Sequence, residues 1–186
     1  MITGAYSYIR GTEHDDVAAL AALYRDGVLR AGLLDGRREP ILPTLEELAE
    51  FLNRKEFAES AFYTIEDRTG GIRGFCTLRG LNPEARHCEY SLLFLDESDY
   101  GDPLAGEATG VMLERAFVRW GLRKVVATCL ESESAFRAHL ARHGFVSAGV
   151  QRDVLHARGR WHNMESLYRG NPQSEPTQIG APNHAL

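Results

Sequence analysis

The chain has 186 residues, of which 44% are hydrophobic and 25% are charged, and its formal net charge is −5 at pH 7. That length and apolar content fit one soluble domain with a sizeable core. Because the sequence has no long run of Lys and Arg, nucleic acid and anionic membrane are poor candidates for partners. No apolar stretch has transmembrane length, and no secretory leader pattern precedes the first predicted strand, so we expect a cytoplasmic protein.

The cysteines and the clustered histidines do not predict a metal site. Cys76, Cys88 and Cys129 lie in predicted strands without metal-type spacing, and we expect them to be small buried apolar residues. His139 and His143 are four residues apart on a predicted helix and could share a metal ion. Since no third ligand is evident, a solvated pair of histidines is the simpler interpretation.

The N-terminal part of the chain predicts a strand, a helix and an irregular segment. Alternation over residues 6–10 indicates the strand, and apolar side chains at helical spacing over residues 17–24 indicate the helix. Glycines and prolines break the pattern over residues 27–43, where Arg30, Arg37 and Arg38 add positive charge. This segment is a candidate for the mouth of a substrate site.

A second helix and three strands follow. Thr44 and Glu47 form a capping box that predicts the start of the helix. Residues 62–67 and 72–78 read as the two strands of a hairpin, and the apolar run over residues 87–95 suggests a central strand.

The middle of the chain predicts a helix, a short strand and another helix. The first helix follows a loop of small residues at Tyr100 and ends at Gly121, and the strand is the apolar run over residues 124–130. Ser132 and Ser134 are cap-type residues ahead of the second helix. A helix start after such a loop offers free N–H groups and partial positive charge, so a phosphate-bearing ligand is predicted there.

The C-terminal part predicts two more strands, over residues 150–156 and 164–168, joined through Gly159. Beyond Gly170 the sequence has little to bury, and we expect a disordered tail and no second domain. The predicted order begins with strands, continues with a helix and a strand in a parallel crossover, and ends with strands. This order predicts an α/β fold with one mixed sheet.

Three segments in this order resemble the GNAT superfamily of acyl-CoA-dependent N-acyltransferases: CEYSLLFLDES, GEATGVMLERAFVRWGLRKV and ARHGFVSAGVQRDVLHARGRWHNMESLYR. The likeness covers roughly residues 6–169 and is similar to the branch that includes ribosomal-protein N-terminal alanine/serine acetyltransferases. It implies a domain over residues 1–169, followed by the tail over residues 170–186. The implied sheet is mostly antiparallel and flanked by helices, with a splay between the strands 87–95 and 124–130 that holds the pantetheine arm.

The resemblance also implies acetyl-CoA as co-substrate and a primary amine of a small molecule or peptide N-terminus as acceptor, with a homodimer as a possible assembly. Glu89 matches the glutamate of the family's A-E-I-G-Y strand and is the candidate general base, because a desolvated carboxylate gains basicity. A surface-facing glutamate is the open alternative. For the general acid, Ser132 or Ser134 is a candidate, although helix capping is the simpler explanation of both.

The cofactor-binding residues implied by the resemblance are the backbone of the central strand, the loop before the helix and an arginine on the next helix: Leu93, Phe94, Leu95, Tyr100, Gly101, Leu104, Ala105, Gly106, Glu107 and Arg137. The loop departs from the family's R/Q-x-x-G-x-G/A pattern, since Pro103 replaces the middle glycine and Asp102 stands where lysine is frequent. Asp102 as N-cap and Pro103 at the first helical position would occupy or remove the N–H groups that a phosphate needs. We therefore expect weak cofactor binding.

Two functions stay open from the sequence. The first is the acetyltransferase, and the second is a GNAT-like binding or assembly module that has lost catalysis. The acceptor is equally open, because a basic amine fits the acidic balance whereas arginines such as Arg158 and Arg160 fit an acidic group. Trp161, in a segment similar to the family's G-R-Y-H-D turn, belongs either to an acceptor pocket or interface, or to a hairpin packed on the core.

Overall fold

The computed structural model describes residues 1–25, 29–34, 42–53 and 61–174. The predictions for Arg37 and Arg38, and those for the tail from residue 175 onwards, lie outside this part of the chain. No helix within it has the length and apolar content needed to cross a membrane.

Eight strands and four α-helices are found in the described residues. The strands are β1 (Ile2–Thr3), β2 (Ser7–Gly11), β3 (Ala61–Asp67), β4 (Ile72–Asn82), β5 (His87–Phe94), β6 (Lys124–Leu130), β7 (Val146–Ala157) and β8 (Arg160–Gly170). The helices are α1 (Val17–Arg25), α2 (Leu45–Asn53), α3 (Pro103–Glu114) and α4 (Ser134–Arg142). Short 3-10 turns over Ala31–Leu33 and Glu97–Gly101 precede β3 and α3, and a π-helical turn over Arg115–Arg119 extends α3.

The strands form one sheet in the order β1-β2-β3-β4-β5-β6-β8-β7. Every neighbouring pair is antiparallel except β5 and β6, which are parallel. Pairing of β5 with β6 ends at Glu89 and Val126, although β5 continues to Phe94 and β6 to Leu130. The predicted mixed, mostly antiparallel sheet with a splay between two central strands is therefore confirmed.

Helices cover both faces of the sheet. The face under α3 and α4 buries the larger core, to which β5 and β6 contribute Cys88, Tyr90, Leu92, Phe94, Val125, Ala127 and Cys129. The opposite face carries Phe75 and Leu93 against α1 and α2. All three cysteines are free and buried, as predicted, and burial raises the pKa of each thiol above its ordinary value.

The helix boundaries follow from local chemistry. The capping box at α2 is present, since Thr44 N–H donates to Glu47 Oε2 at 2.7 Å and Glu47 N–H donates to Thr44 Oγ1 at 3.1 Å. The predicted serine cap of α4 is wrong: the N-cap residue is Glu133, and no side chain caps that helix end. Its other end is the predicted one, with Gly144 in the left-handed region at φ 76°.

The hairpin of β7 and β8 lies at the far edge of the sheet, and the first part of β7 is exposed. Gly159, at φ 75°, forms its tip, as predicted. Every residue of β7 from Val146 to Asp153 is exposed. Trp161 is 58% exposed and contacts the ring of His156, which excludes packing on the core, one of the two alternatives that the sequence left open.

Glu133 joins three segments that are distant in sequence. Its Oε2 accepts hydrogen bonds from the Leu130 N–H at the end of β6 and from the Ala31 N–H of the first 3-10 turn, each at 2.8 Å. The side chain is buried, and this burial raises the pKa of the carboxyl to about 7 against the opposing effect of the two N–H donors. The segment before α2 is thus fixed to the sheet by a titratable group.

We predict that Glu133 makes folding stability depend on pH. Because the folded pKa lies above the ordinary 4.5, the carboxyl's stabilising contribution is complete below that value and is lost as the pH rises through about 7. Glu133→Gln keeps an acceptor but does not titrate. We expect the stability of the natural protein relative to this variant to fall by roughly 2–3 kcal/mol from pH 5 to pH 8, measured by urea unfolding.

Glu131→Gln is the control for the loss of one negative charge, because Glu131 is the exposed neighbour of Glu133. An equal stability difference between the natural protein and Glu133→Gln at both pH values would show that this carboxyl does not change ionisation there.

Candidate active site

Glu89 lies at the fork where β5 and β6 part. Its Oε1 accepts a hydrogen bond from Thr128 Oγ1 at 2.8 Å and lies 3.5 Å from the Arg79 guanidinium. Arg79 also donates to the Gly32 carbonyl at 3.3 Å, which links the fork to the 3-10 turn above it. The Glu89 side chain is 32% exposed, and two partners orient its carboxylate.

Ser134 lies on the other face of the sheet. Ala127 and Cys129 pack under α3 and α4, so Thr128, between them on β6, faces α1 and α2 together with the carboxylate of Glu89. Ser134 lines a cavity of about 470 Å³ between α4 and the β7–β8 hairpin, whose walls include Arg137, Phe145, Val150, Glu165 and Leu167. The structure therefore does not bring the two predicted catalytic residues together.

The backbone of β5 beyond the fork alternates between β4 and the open gap. Leu95 N–H donates to the β4 carbonyl of Arg73 at 2.9 Å, and Leu93 is in register with Phe75 of the same strand. Residues 93 and 95 thus direct their backbone groups to β4, and residues 92 and 94 direct theirs to the gap. The predicted backbone contribution to the gap is wrong for Leu93 and Leu95 and fits Phe94.

Tyr100 fills the wide end of this gap. It is 4% exposed, and its ring packs against Phe94 at 5.1 Å and Phe136 at 5.5 Å between centroids. Its hydroxyl donates to the Leu92 carbonyl at 2.8 Å. The residue predicted to begin a phosphate-binding loop is therefore a core side chain. The exposed part of the loop begins at Gly101.

The first turn of α3 is capped by its own chain. Asp102 Oδ1 accepts from Leu104 N–H at 2.9 Å, and the Asp102 carbonyl accepts from Ala105 N–H at 3.0 Å. Pro103, at the first helical position, has no N–H group. The expected helix start, with Asp102 as N-cap and Pro103 at the first helical position, is confirmed.

Negative charge surrounds this helix start. Asp96 and Glu97 are exposed beside Asp102, and Asp99 is buried in an ion pair with Arg73. An approaching phosphate therefore meets three exposed carboxylates, and the nearest described arginine on β4 is already paired.

Glu107, predicted to contact the cofactor, holds the N-terminal segment instead. Its carboxylate accepts from the backbone N–H groups of Ala5 and Tyr6 and from Ser7 Oγ. Gly4 packs closely against this carboxylate. A Cβ at this position would lie 2.0 Å from the Glu107 carboxyl carbon, so the site has no room for a side chain. This carboxylate is fully engaged within the chain.

The two arginines of α4 point in different directions. Arg137 forms an ion pair with Glu165 in the cavity beside the hairpin, away from the α3 start. Arg142 donates to the Tyr100 carbonyl at 2.8 Å, and Gly106 lies next to His143. The structure thus separates Arg137 from the other residues predicted to bind the cofactor.

His139 is buried, which corrects the interpretation of a solvated pair. Its Nε2 lies 2.7 Å from Thr109 Oγ1 and its Nδ1 lies 3.3 Å from the Tyr100 carbonyl, with the His143 ring 4.2 Å away between centroids. Burial, with the nearby His143, lowers the pKa of His139 to about 4. No group of three or more potential metal ligands occurs in the part of the chain that the structure describes.

The sequence analysis missed three groups at this site: the Thr128 hydroxyl and the Arg79 guanidinium that orient Glu89, and the carboxyl of Glu133. Thr128 and Arg79 were recognisable as polar residues within apolar strands. Nothing in the sequence pattern indicated that Glu133 would be buried. Tyr100 was predicted to bind the cofactor, but its burial was not predicted.

Comparisons with known proteins agree with this fold. Two solved structures are of the spermidine N-acetyltransferase from Vibrio cholerae. One, in complex with CoA and spermine, is 17% identical with a TM-score of 0.77 and covers 90% of this chain and 97% of its own. The other, a dodecameric structure in an intermediate state, is 18% identical with a TM-score of 0.73 and covers 90% and 95%. These identities establish the fold alone.

A search of curated proteins finds no match. The more specific resemblance to ribosomal-protein acetyltransferases stays a prediction. Residues 8–146 match the family described as the acetyltransferase (GNAT) domain, which is most of the chain. This chain belongs to the GNAT acetyltransferase family.

Proposed function

We propose that the protein is an acyl-CoA-dependent N-acetyltransferase that transfers the acetyl group of acetyl-CoA to a primary amine of a small molecule or a peptide N-terminus. The observation that carries the proposal is the position of Glu89 at the fork of the sheet, oriented by Thr128 and Arg79 and one-third exposed. Membership of the GNAT family supports the reaction class.

In this mechanism Glu89 acts as the general base, directly or through one water. When bound, acetyl-CoA supplies a thioester whose carbonyl carbon forms the new C–N bond as its C–S bond breaks, and the departing thiolate takes the second proton that the amine nitrogen loses. Glu89 accepts the proton of the incoming ammonium group, and the Thr128 hydrogen bond holds the carboxylate in place. Since Ser134 faces the opposite side of the sheet, it is not part of this arrangement.

The donor site fits acetyl-CoA only in part. The open edge of β5 suits an extended arm that contains amides, in the manner of an added strand. The start of α3 does not suit the diphosphate, because the Leu104 and Ala105 N–H groups already have acceptors. We therefore expect the arm to contribute more to donor affinity than the diphosphate does.

A second candidate function is a GNAT-like binding or assembly module without catalysis. The self-capped start of α3 favours it, because Asp102 satisfies the donors that would hold the ligand's phosphates. The two candidates differ in whether thiol is released from acetyl-CoA in the presence of an amine.

Polyamines are the first acceptors to test. The similar structures from Vibrio cholerae are described as spermidine N-acetyltransferases, and this chain has a net charge of −5. Arg30, which was a candidate for recognising an acidic acceptor, is 3% exposed and so does not face the solvent.

We predict that thiol release will depend on Glu89. In an assay over polyamines, amino sugars, aminoglycosides and peptides, at least one amine should release thiol from acetyl-CoA above the rate of hydrolysis. Glu89→Gln should lower kcat by roughly 10²–10⁴-fold, the usual contribution of a general base, with a nearly unchanged melting temperature.

Glu131→Gln is a matched control, since the Glu131 side chain is 40% exposed and accepts a hydrogen bond from Asn163, as Glu89 does from Thr128. It should keep the natural rate. A Glu89→Gln protein with full activity would remove the assigned base, and no thiol release with any amine would favour the binding module.

We also predict that the charge of Asp102 weakens donor binding. Asp102→Asn keeps an N-cap acceptor and therefore the helix start, but removes the repulsion of the donor's phosphates. We expect the Kd of acetyl-CoA to fall about fivefold in calorimetry, and the Kd of pantetheine, which lacks phosphates, to stay constant.

Asp96→Asn provides the comparison, because Asp96 is also exposed and caps a backbone N–H, that of Ser98 at 2.9 Å. It should change acetyl-CoA affinity less than Asp102→Asn does. Equal effects of the two substitutions would indicate a general reduction of negative charge without a specific role for Asp102.

A further inference from the structure

Beyond the fork, the edge of β5 that has no strand partner presents two backbone groups to which an added chain could bind. Beyond the fork, Leu92 and Phe94 direct their backbone groups into the gap, because the alternate residues bond to β4. In a parallel sheet, one residue of the next strand donates to the carbonyl of one such residue and accepts from the N–H of the other. On this edge those groups are the Leu92 carbonyl and the Phe94 N–H.

The Tyr100 phenol already takes one of these places. Its hydroxyl donates to the Leu92 carbonyl at 2.8 Å. The phenol therefore supplies the donor of a missing parallel strand at the point where β6 has moved away. Its ring is held by Phe94 and Phe136, so this position is defined by packing as well as by a hydrogen bond.

The opposite side of the gap is occupied in a similar way. Glu131 N–H donates to Asn163 of β8, so the N–H of Leu130, one residue earlier, points to the gap, where Glu133 accepts it. Side chains of the chain itself thus bind the backbone on both edges of the opening.

We propose that the Tyr100 hydroxyl competes with the acyl donor for the edge of β5, so that the donor's amide-containing arm binds only when the phenol leaves this edge. The proposal rests on the proposed function, since it takes the arm to lie along β5. Tyr100 is then a residue that sets donor affinity. Ser98 and Gly101, on either side of Tyr100, are exposed, so the turn that carries the phenol borders the solvent.

A purely structural role for Tyr100 predicts a different result. If the phenol only fills the core, its removal would lower stability and leave donor affinity unchanged or reduced. Competition predicts that removal of the hydroxyl lowers stability and increases donor affinity, because the ligand no longer displaces an existing hydrogen bond.

The test compares Tyr100→Phe with Tyr90→Phe. Tyr90 is a matched control because its buried hydroxyl bonds to Thr109 at 2.9 Å and does not contact the edge. In calorimetry with pantetheine and with acetyl-CoA, Tyr100→Phe should bind both about tenfold more tightly than the natural protein. Tyr90→Phe should bind them as the natural protein does.

The outcomes separate this inference from the proposed function. Thiol release by the natural protein, together with equal or weaker donor affinity in a folded Tyr100→Phe, overturns the competition and leaves the enzyme standing. Absence of donor binding in every variant overturns both. Tighter binding confined to Tyr100→Phe supports both.

Discussion

The parting of β5 and β6 after Glu89 and Val126 is the constraint on which this structure depends. Two parallel strands that separate in the middle of a sheet leave backbone N–H and carbonyl groups unpaired, and such groups are costly when buried away from water. This chain satisfies two of them internally, since the phenol of Tyr100 donates to the Leu92 carbonyl on one edge and the carboxylate of Glu133 accepts from the Leu130 N–H on the other. The gap is a property of the fold, and its filling is a property of these particular side chains.

Acidic side chains have the same role elsewhere around the opening. Asp102 accepts from the first turn of α3, Asp96 from the turn before it, and Glu133 from the end of β6. A carboxylate that accepts a backbone N–H stabilises that turn, but it also takes the place that a ligand's phosphate or amide needs. Stability of the free protein and affinity for an anionic donor are therefore opposed at these positions.

Most of the elements could be predicted because their signals are local. The apolar run of β6, from Lys124 to Leu130, and the capping box at Thr44 depend only on neighbouring residues. The Asp102–Pro103 helix start was equally predictable from its two residues. The order of hydrophobic segments, together with the family resemblance, then gave the mixed sheet and its splay.

The details of the site depend on which of two alternating directions each strand residue takes, and on contacts between residues distant in sequence. No local sequence pattern contains this information. Which backbone groups of β5 face the gap depends on its register with β4, so Leu93 and Leu95 were assigned to the wrong edge. Ser134 was predicted to act together with Glu89 because the sequence indicates helix α4 but does not indicate which face of the sheet that helix covers. The sequence left two positions open for Trp161, because an aromatic residue in a hairpin can face either the core or the solvent, and the structure exposes it.

The clasp of Glu107 on Ala5, Tyr6 and Ser7 has a practical consequence for handling the protein. These hydrogen bonds connect the N-terminal segment to α3, the helix whose start borders the proposed donor site. Trimming those residues for expression would release a carboxylate within the first turns of α3 and add to the negative charge already there. A purification handle is therefore better attached upstream of an intact Gly4–Ser7 segment than substituted for it.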